Sequence, residues 1–205
     1  MRSRLCGVFH RVKDRHNMGE IRSQNIYIVD FAHQNDGNVM ISDTEISSVN
    51  SVHIENNYVI PVFYDGFGKN ALPIDRSTYS KQCECVLFPV DCDIEEWVLF
   101  IETKYAADLS RAQKGQAKYP ECMLRQIRST VRYFRDKGII PADKVVHAIM
   151  SFPNLIDEFN SWVFPIVNED GKEESPLDIL LRDRILIRAT NKAKIIDNFY
   201  IELIS

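Results

Sequence analysis

Short apolar blocks separated by polar residues predict a succession of strands in the first half of the chain. The blocks are rich in Ile, Val, Tyr and Phe, which is typical of strands, and they cover residues 25–31, 49–54, 58–64, 83–88 and 97–105. Residues 55–57 (Glu-Asn-Asn) predict a hairpin turn between the second and third blocks, and Pro61 favours an edge position for the third. Residues 65–82 are loop-like. Ser42-Asp43-Thr44-Glu45 has the spacing of a capping box and predicts a short helix.

Beyond residue 105 the apolar positions follow a helical period. Residues 108–118 form a plausible first helix, and Pro120 interrupts the pattern and then begins a second. An apolar stripe of this second helix recurs at i, i+3, i+7 and i+10: Leu124, Ile127, Val131 and Phe134. Gly138 ends the helix. A strand at 145–152 follows, and the order strand, helix, strand predicts a crossover to a parallel neighbour.

The two ends of the chain predict additions to this central part. Residues 1–22 carry six Lys/Arg against two acids, which indicates a basic arm or a first helix within 1–24. The tail predicts a short helix near 154–162, loops at 165–176, and a hairpin-like pair at 185–189 and 195–203. We therefore expect one mixed α/β domain over 1–205, with a C-terminal addition of helix and strands from 153 to 205.

Composition narrows the function classes. The chain has 205 residues, 45% hydrophobic residues and a net charge of −4, so it is not a basic nucleic-acid binder overall. It has no apolar run long enough to span a membrane, and its charged N-terminus lacks the apolar region of a secretory signal. Five cysteines and five histidines show no familiar metal spacing, and a reducing cytoplasm is the expected location. A zinc site from Cys83, Cys85, Cys92 and Cys122 is conceivable, but Cys83 and Cys85 are better interpreted as small buried hydrophobes.

Two carboxylates lie inside apolar strands. Pairing the strand of Glu84 with that of Glu102 so that Val86 faces Phe100 sets the two acids opposite each other. Like charges in that position are destabilising, and more so in an apolar setting, so one acid holds a proton or a cation lies between them. Lys104 emerges on the same face, two residues after Glu102. A solvated strand face and a buried ion-pair network remain alternatives.

The second predicted helix also carries an arginine stripe. Arg125, Arg128, Arg132 and Arg135 repeat the spacing of the apolar stripe on an adjacent face. Residues 104–137 contain nine Lys/Arg and three acids, a local net charge of +6 in a chain of −4. Such asymmetry beside acids suits a polyanion whose phosphates follow the basic face. A solvated helix face is the other interpretation.

Glu84, then Glu102-Thr103-Lys104, then a helix with Gln126, resembles the PD-(D/E)XK nuclease superfamily. The restriction-endonuclease-like core of that family is a helix, three antiparallel strands, a helix and a further strand, which residues 42–152 could supply. Glu84 matches the first acid, usually Asp, and Cys83 stands where Pro is usual. Glu102 and Lys104 match the second acid and the lysine. Gln126 resembles a glutamine that some branches carry.

This resemblance implies metal-dependent hydrolysis of DNA phosphodiesters. Glu84, Glu102 and the Thr103 carbonyl are then oxygen ligands for Mg²⁺ or Mn²⁺, Lys104 stabilises the developing charge, and Gln126 positions water or backbone. Some branches add a glutamate from the first helix, and Glu45 and Glu55 are both candidates. RNA as substrate and a homodimer remain possible, and the alternative is a non-catalytic member of the fold that binds nucleic acid or protein.

Overall fold

Two large β-sheets, a two-stranded antiparallel pair and three α-helices build the part of the chain that the structure describes. This computed structural model describes residues 1–31, 38–91, 95–105, 119–155, 163–168 and 171–204. The helices are α1 Arg2–Phe9, α2 Glu121–Asp136 and α3 Pro176–Asp183. The strands are β1 His16–Ile21, β2 Asn25–Val29, β3 Met40–Ser42, β4 Val52–Glu55, β5 Val62–Phe67, β6 Cys85–Pro89, β7 Leu99–Thr103, β8 Val146–Ser151, β9 Ile166–Val167, β10 Glu173–Glu174, β11 Ile185–Ala189, β12 Lys192–Ile195 and β13 Ile201–Ile204. The strands β9 and β10 form the two-stranded antiparallel pair. The expected mixed α/β class is confirmed. None of the described helices is long and apolar enough to cross a membrane.

A six-stranded mixed sheet forms the centre, in the order β1-β5-β6-β7-β8-β11. The strands β5, β6 and β7 are antiparallel neighbours, and β6 pairs with β7 so that Val86 faces Phe100. That register is the predicted one. The strand β8 lies parallel to β7, so the parallel neighbour that the strand–helix–strand order predicts is confirmed.

The helices α1 and α2 cover one face of the six-stranded sheet. The predicted apolar stripe of α2 is buried against Val86 and Phe88 of β6 and Phe100 of β7. The helix begins directly after Pro120 and is followed by Gly138 with a φ of +65°, a conformation that glycine adopts without steric cost. Both predicted ends of α2 are therefore confirmed.

A five-stranded sheet, in the order β13-β12-β4-β2-β3, covers the opposite face. Cys85 and Leu87 of β6 and Ile101 of β7 pack there against the apolar side of this second sheet, including Ile26 and Ile54. Because β6 and β7 are buried on both faces, their sequences are continuous apolar runs without alternation. An acid within either strand therefore enters an interior layer.

The predicted hairpin around residues 55–57 is wrong. The strand β4 pairs with β2 and β12, whereas β5 pairs with β1 and β6. Asn56 is fully buried and its amide bonds Ser23 O and both backbone groups of Ile60, and this turn carries the chain from one sheet to the other. The edge position that Pro61 favours is also wrong, because β5 is an interior strand; Pro61 precedes it, and its carbonyl accepts a hydrogen bond from Val90 N at 2.9 Å.

The predicted helix at Ser42–Glu45 does not form. The strand β3 ends at Ser42, and the Ser42 hydroxyl accepts from Thr44 N at 3.0 Å, a local turn that competes with a helix. The helix ahead of the central strands is instead α1, so the alternative of a first helix within 1–24 is confirmed, and β1 follows it. The elements of the expected 42–152 core therefore start nearer the N-terminus.

The C-terminal part differs from expectation in two respects. The hairpin pairs β12 with β13, while β11 joins the six-stranded sheet parallel to β8. The helix α3 was missed, although Ser175 and Asp178 form a capping box and Pro176 begins the helix. The predicted helix at 108–118 and residues 156–162 of the one near 154–162 lie outside the described residues.

A buried histidine–aspartate pair lies at the β1–β5 end of the central sheet. His16 Nδ1 is 2.8 Å from Asp65 Oδ2, and His16 Nε2 is 3.1 Å from the Ala71 carbonyl. The Phe9 ring stacks on the imidazole with ring centroids 4.1 Å apart. Both ring nitrogens therefore face acceptors, the Asp65 carboxyl and the Ala71 carbonyl. Burial raises the pKa of Asp65, against the opposing effect of its hydrogen bond with His16. His16 is thus a core histidine, as expected for a chain without metal-ligand spacing.

Candidate functional site

Two adjacent strands of the central sheet bring Glu84, Glu102 and Lys104 together. Glu84 immediately precedes β6, and its N–H donates to Ile101 O at 2.9 Å, which continues the β6–β7 ladder. Glu102 is in β7, and Lys104 follows that strand. The Lys104 ammonium nitrogen lies 2.6 Å from Glu84 Oε1 and 2.6 Å from Glu102 Oε1. The constellation predicted from alternation along two strands is therefore present as a cluster.

Glu102 is the deepest member of the cluster, with 0% of its surface exposed. Its Oε1 is at ion-pair distance from Lys104 but without hydrogen-bond alignment, and its Oε2 has no partner among the described residues. Burial and the nearby Glu84 charge raise the pKa of Glu102 well above its usual value, against the opposing effect of Lys104. Burial opposes the charge of Lys104, but Glu102 and Glu84 outweigh it and raise the lysine pKa.

A third carboxylate, Asp30, joins the cluster from the second sheet. It follows the last residue of β2, and its carboxyl lies close enough to Glu84 for the two groups to interact. Burial, followed by the charge of Glu84, raises the pKa of Asp30 to about 7, although Lys104 lowers it. Asp30 was not among the predicted site residues. An acid directly after an apolar strand was a visible signal, but its position beside Glu84 depends on how the two sheets pack.

The two glutamates considered as a third acid are placed elsewhere. Glu55 pairs with Asn25, at the opposite end of β2 from Asp30. Glu45 is exposed in the segment after β3. The acid that completes the cluster is therefore Asp30.

The charge balance of the cluster favours a cation. Three carboxylates face one ammonium group, which leaves two negative charges in excess when all four groups are ionised. Carboxylate oxygens are the ligands that Mg²⁺ and Mn²⁺ prefer, and Glu102 Oε2 is a buried acceptor without a partner in the described chain. The donor set therefore fits a divalent metal by its chemistry. Within the described residues, no three His, Cys, Asp or Glu side chains are already arranged around a common ion position.

Thr103 and the cysteines complete the immediate surroundings. Thr103 is buried at the end of β7, opposite Ser151 of β8. Cys83 and Cys85 are buried free thiols in the two apolar layers, and burial raises both pKa values, so their interpretation as small hydrophobes is confirmed. The conceivable zinc set also included Cys92 and Cys122. Cys122 is half-buried, and Cys92 lies outside the described residues.

Gln126 of α2 contacts the backbone just before Glu84. Its Nε2 donates to Gln82 O at 2.8 Å. The Gln82 side chain in turn bonds Gly68 O at 2.6 Å and Ala71 N at 2.9 Å. Gln126 therefore positions the chain that leads into Glu84 and the loop that faces it.

The arginine stripe of α2 divides into two groups. Arg128 pairs with Glu174 at 2.8 Å and with Asp183 at 2.7 Å. Arg135 donates to the carbonyls of Asp183 and Lys144, both at 2.9 Å. These two guanidinium groups thus hold α2 against the C-terminal part of the chain. Arg132 is exposed and Arg125 is half-buried, one residue before Gln126.

The cluster opens into a cleft of about 600 Å³. Asp30, Glu84, Cys122 and Gln126 line this cleft together with residues 67–70 and 79–82. Comparison of the chain with protein-family models, with curated proteins and with solved structures found no match. The interpretation of the site therefore depends on its own geometry.

Proposed function

We propose that this chain hydrolyses phosphodiester bonds of nucleic acid, with DNA as the expected substrate and Mg²⁺ or Mn²⁺ as cofactor. The observation that carries the proposal is the convergence of Glu84 and Glu102 on a single ammonium group at the mouth of a cleft, with the carboxyl of Asp30 beside Glu84. An apolar interior position such as that of Glu102 is costly for a carboxylate, and a cluster of perturbed acids in a cleft is a typical functional site.

The order of elements supports a restriction-endonuclease-like core. A helix (α1) precedes the antiparallel strands β5, β6 and β7, which are followed by a helix (α2) and a strand (β8) parallel to β7. That is the order that the PD-(D/E)XK resemblance implies, although the first helix comes from the N-terminus. The two acids and the lysine lie in or directly beside the adjacent strands β6 and β7, which supports the resemblance.

Each residue of the cluster has a distinct role in this proposal. Glu84, Glu102, Asp30 and the Thr103 carbonyl would hold the metal, which when bound polarises the scissile phosphate and lowers the pKa of a bound water. The burial of Glu102 excludes bulk water from that side of the site. Lys104 keeps its charge because of the acids around it, so its ammonium group is available to stabilise negative charge developing on the phosphate.

The second candidate is a non-catalytic member of the same fold that binds nucleic acid or protein. It is favoured by the position of the Lys104 ammonium group, which already lies 2.6 Å from both glutamates and so partly neutralises them without a metal. Calorimetric titration with Mn²⁺ separates the candidates. If the site is that of a nuclease, the wild type should give binding heat and Glu84→Gln should remove it. If the protein is a non-catalytic binder, the wild type should give no binding heat.

The direct test is cleavage of supercoiled plasmid and of labelled RNA with Mg²⁺ or Mn²⁺. We expect the wild type to cut and Glu102→Gln and Lys104→Met to lose about 10²-fold or more in rate, the usual cost of removing a charge-stabilising group. Glu173→Gln is the matched control, since Glu173 is exposed on β10, and should cut like the wild type. Equal cutting by all four proteins would identify a contaminant, and no cutting by the wild type with either metal would refute the proposal.

A further inference from the structure

We propose that residues 68–82, which we name the cleft wall, bind the phosphate backbone of a single nucleic-acid strand and direct it to the acidic cluster. This inference rests on the proposed function and names the substrate form of the same site. The wall lines the same cleft as Asp30 and Glu84. It is a separate surface from the arginine stripe of α2.

The cleft wall is held in one conformation by contacts along its length. Arg15 Nη1 donates to Asn70 O at 2.9 Å, and the Tyr133 hydroxyl donates to Pro73 O at 2.9 Å. Within the wall, Ser80 N donates to Leu72 O at 2.8 Å, and Gln82 joins the start of the segment to its end through Gly68 and Ala71. A binding surface ordered before its ligand arrives loses less conformational entropy on binding.

The charges on the cleft wall suit a phosphate backbone. Its ionisable residues are Lys69, Asp75, Arg76 and Lys81, a net charge of +2 in a chain of −4. Lys69 and Lys81 are exposed and line the cleft. The carboxylate of Asp75 is turned to its own loop, where it accepts from Ser77 N and Thr78 N, both at 2.8 Å. Lys69 and Lys81 therefore line the same cleft as Asp30 and Glu84, two of the acids needed for hydrolysis.

The size and lining of the cleft favour a single strand. A volume of about 600 Å³ is in the range that surrounds a small ligand, so it suits one or two nucleotide units but not a duplex. Tyr79 also lines the cleft, and the Arg15 guanidinium lies over its ring, 5.1 Å from the centroid. Aromatic rings beside a basic groove are the usual components of single-strand binding.

The test is the salt dependence of binding, measured without cleavage. A fluorescein-labelled 20-nucleotide single strand is titrated with protein in EDTA, by anisotropy, from 50 to 200 mM NaCl. Each phosphate contact contributes about 0.7 to the slope of log K against log salt for a single strand. Lys69→Gln/Lys81→Gln should therefore lower the slope by about 1.4, so that the wild type loses about sevenfold more affinity than the double variant over this range.

The matched control is Lys137→Gln/Lys172→Gln, since both lysines are exposed and neither lines the cleft. This control should keep the wild-type slope. Equal slopes for the wild type and the cleft-wall variant, or an equal decrease in the control, would overturn the inference. Tighter binding of the same sequence as a duplex would overturn it as well.

The outcome is independent of the hydrolysis test. Binding in EDTA needs neither metal nor cleavage, so a wild type that binds with the expected slope but never cuts refutes only the proposed hydrolysis. Conversely, a cleft-wall variant that cuts single-stranded DNA as fast as the wild type at 200 mM NaCl leaves the proposed hydrolysis intact and removes the cleft-wall inference.

Discussion

Replacing Asp30 by asparagine should make the metal-free protein more stable at alkaline pH. Asp30 shares one ammonium group with two other acids, and burial with the Glu84 charge raises its pKa from the usual 3.8 to about 7. The folded state therefore binds the proton of Asp30 more tightly than the unfolded state does. The free energy of unfolding that Asp30 contributes consequently falls as the pH rises from about 4 to about 7.

The size of the effect follows from that pKa change. About 1.4 kcal/mol per pKa unit gives an upper value of about 4 kcal/mol for the change from 3.8 to about 7. Asp30 is half-buried, so solvent screening reduces this value, and we expect about 1–2 kcal/mol. Asparagine keeps the size of the side chain and removes the charge, so Asp30→Asn should recover that amount at pH 8.

The assay is urea unfolding in EDTA at pH 5 and pH 8. The stabilisation by Asp30→Asn should be less than half as large at pH 5 as at pH 8. Near pH 5 the folded protein keeps the proton on Asp30, and the unfolded chain, by releasing its proton, has gained only part of the free-energy advantage that it has at pH 8. Asp91→Asn is the matched control, an exposed aspartate after β6, and it should change stability by less than about 0.5 kcal/mol.

Bound metal should have the opposite effect on stability and favour the wild type over Asp30→Asn. In 5 mM Mn²⁺ the melting temperature of the wild type should rise by more than that of Asp30→Asn. A ligand stabilises the folded state more strongly when it binds more tightly. An Asp30→Asn variant that is less stable than the wild type at pH 8 in EDTA would refute the reasoning, since it would mean that the carboxylate is favourably paired. Equal stabilisation at the two pH values would refute it too.

Two further substitutions test the structure around the site. Asn56→Ala removes three hydrogen bonds of a fully buried amide and should lower the free energy of unfolding by about 2–4 kcal/mol, measured by urea unfolding against Asn57→Ala in the exposed part of the same turn; a loss below 1 kcal/mol would contradict this role. Asp65→Ala leaves the buried His16 Nδ1 without its side-chain partner and should cost about 1–3 kcal/mol, whereas Asp65→Asn, which keeps an oxygen acceptor of similar size, should cost less. Equal losses would show that an acceptor alone does not stabilise this pair.

Much of the central sheet could be predicted because its signals are local. The register that sets Glu84 opposite Glu102 follows from side chains alternating along two strands joined by a short connection, and the structure confirms Val86 opposite Phe100. The signals for the start and end of α2 were also local, since Pro120 and Gly138 act on the backbone beside them. Both acids and the lysine of the candidate site came from this information.

Other features depended on contacts between distant parts of the chain. The partners of Arg128 are 46 and 55 residues away in sequence, so the spacing of the arginine stripe did not distinguish a structural ion pair from a surface for phosphates. The prediction of a hairpin around 55–57 was wrong for a related reason. Two apolar blocks joined by a turn are expected to pair, but nothing local assigns β4 and β5 to different sheets.

The amino-acid sequence by itself determined the strands β6 and β7, the helix α2, and the acids and lysine that meet between them, because periodicity and chain direction decide which side chains share a face. Only the tertiary structure decided that β2 lies in a second sheet whose end brings Asp30 to Glu84, and that residues 67–70 and 79–82 line the same cleft. The reason is that sheet membership is set by which apolar faces bury each other across the whole chain, an energy that no short segment contains.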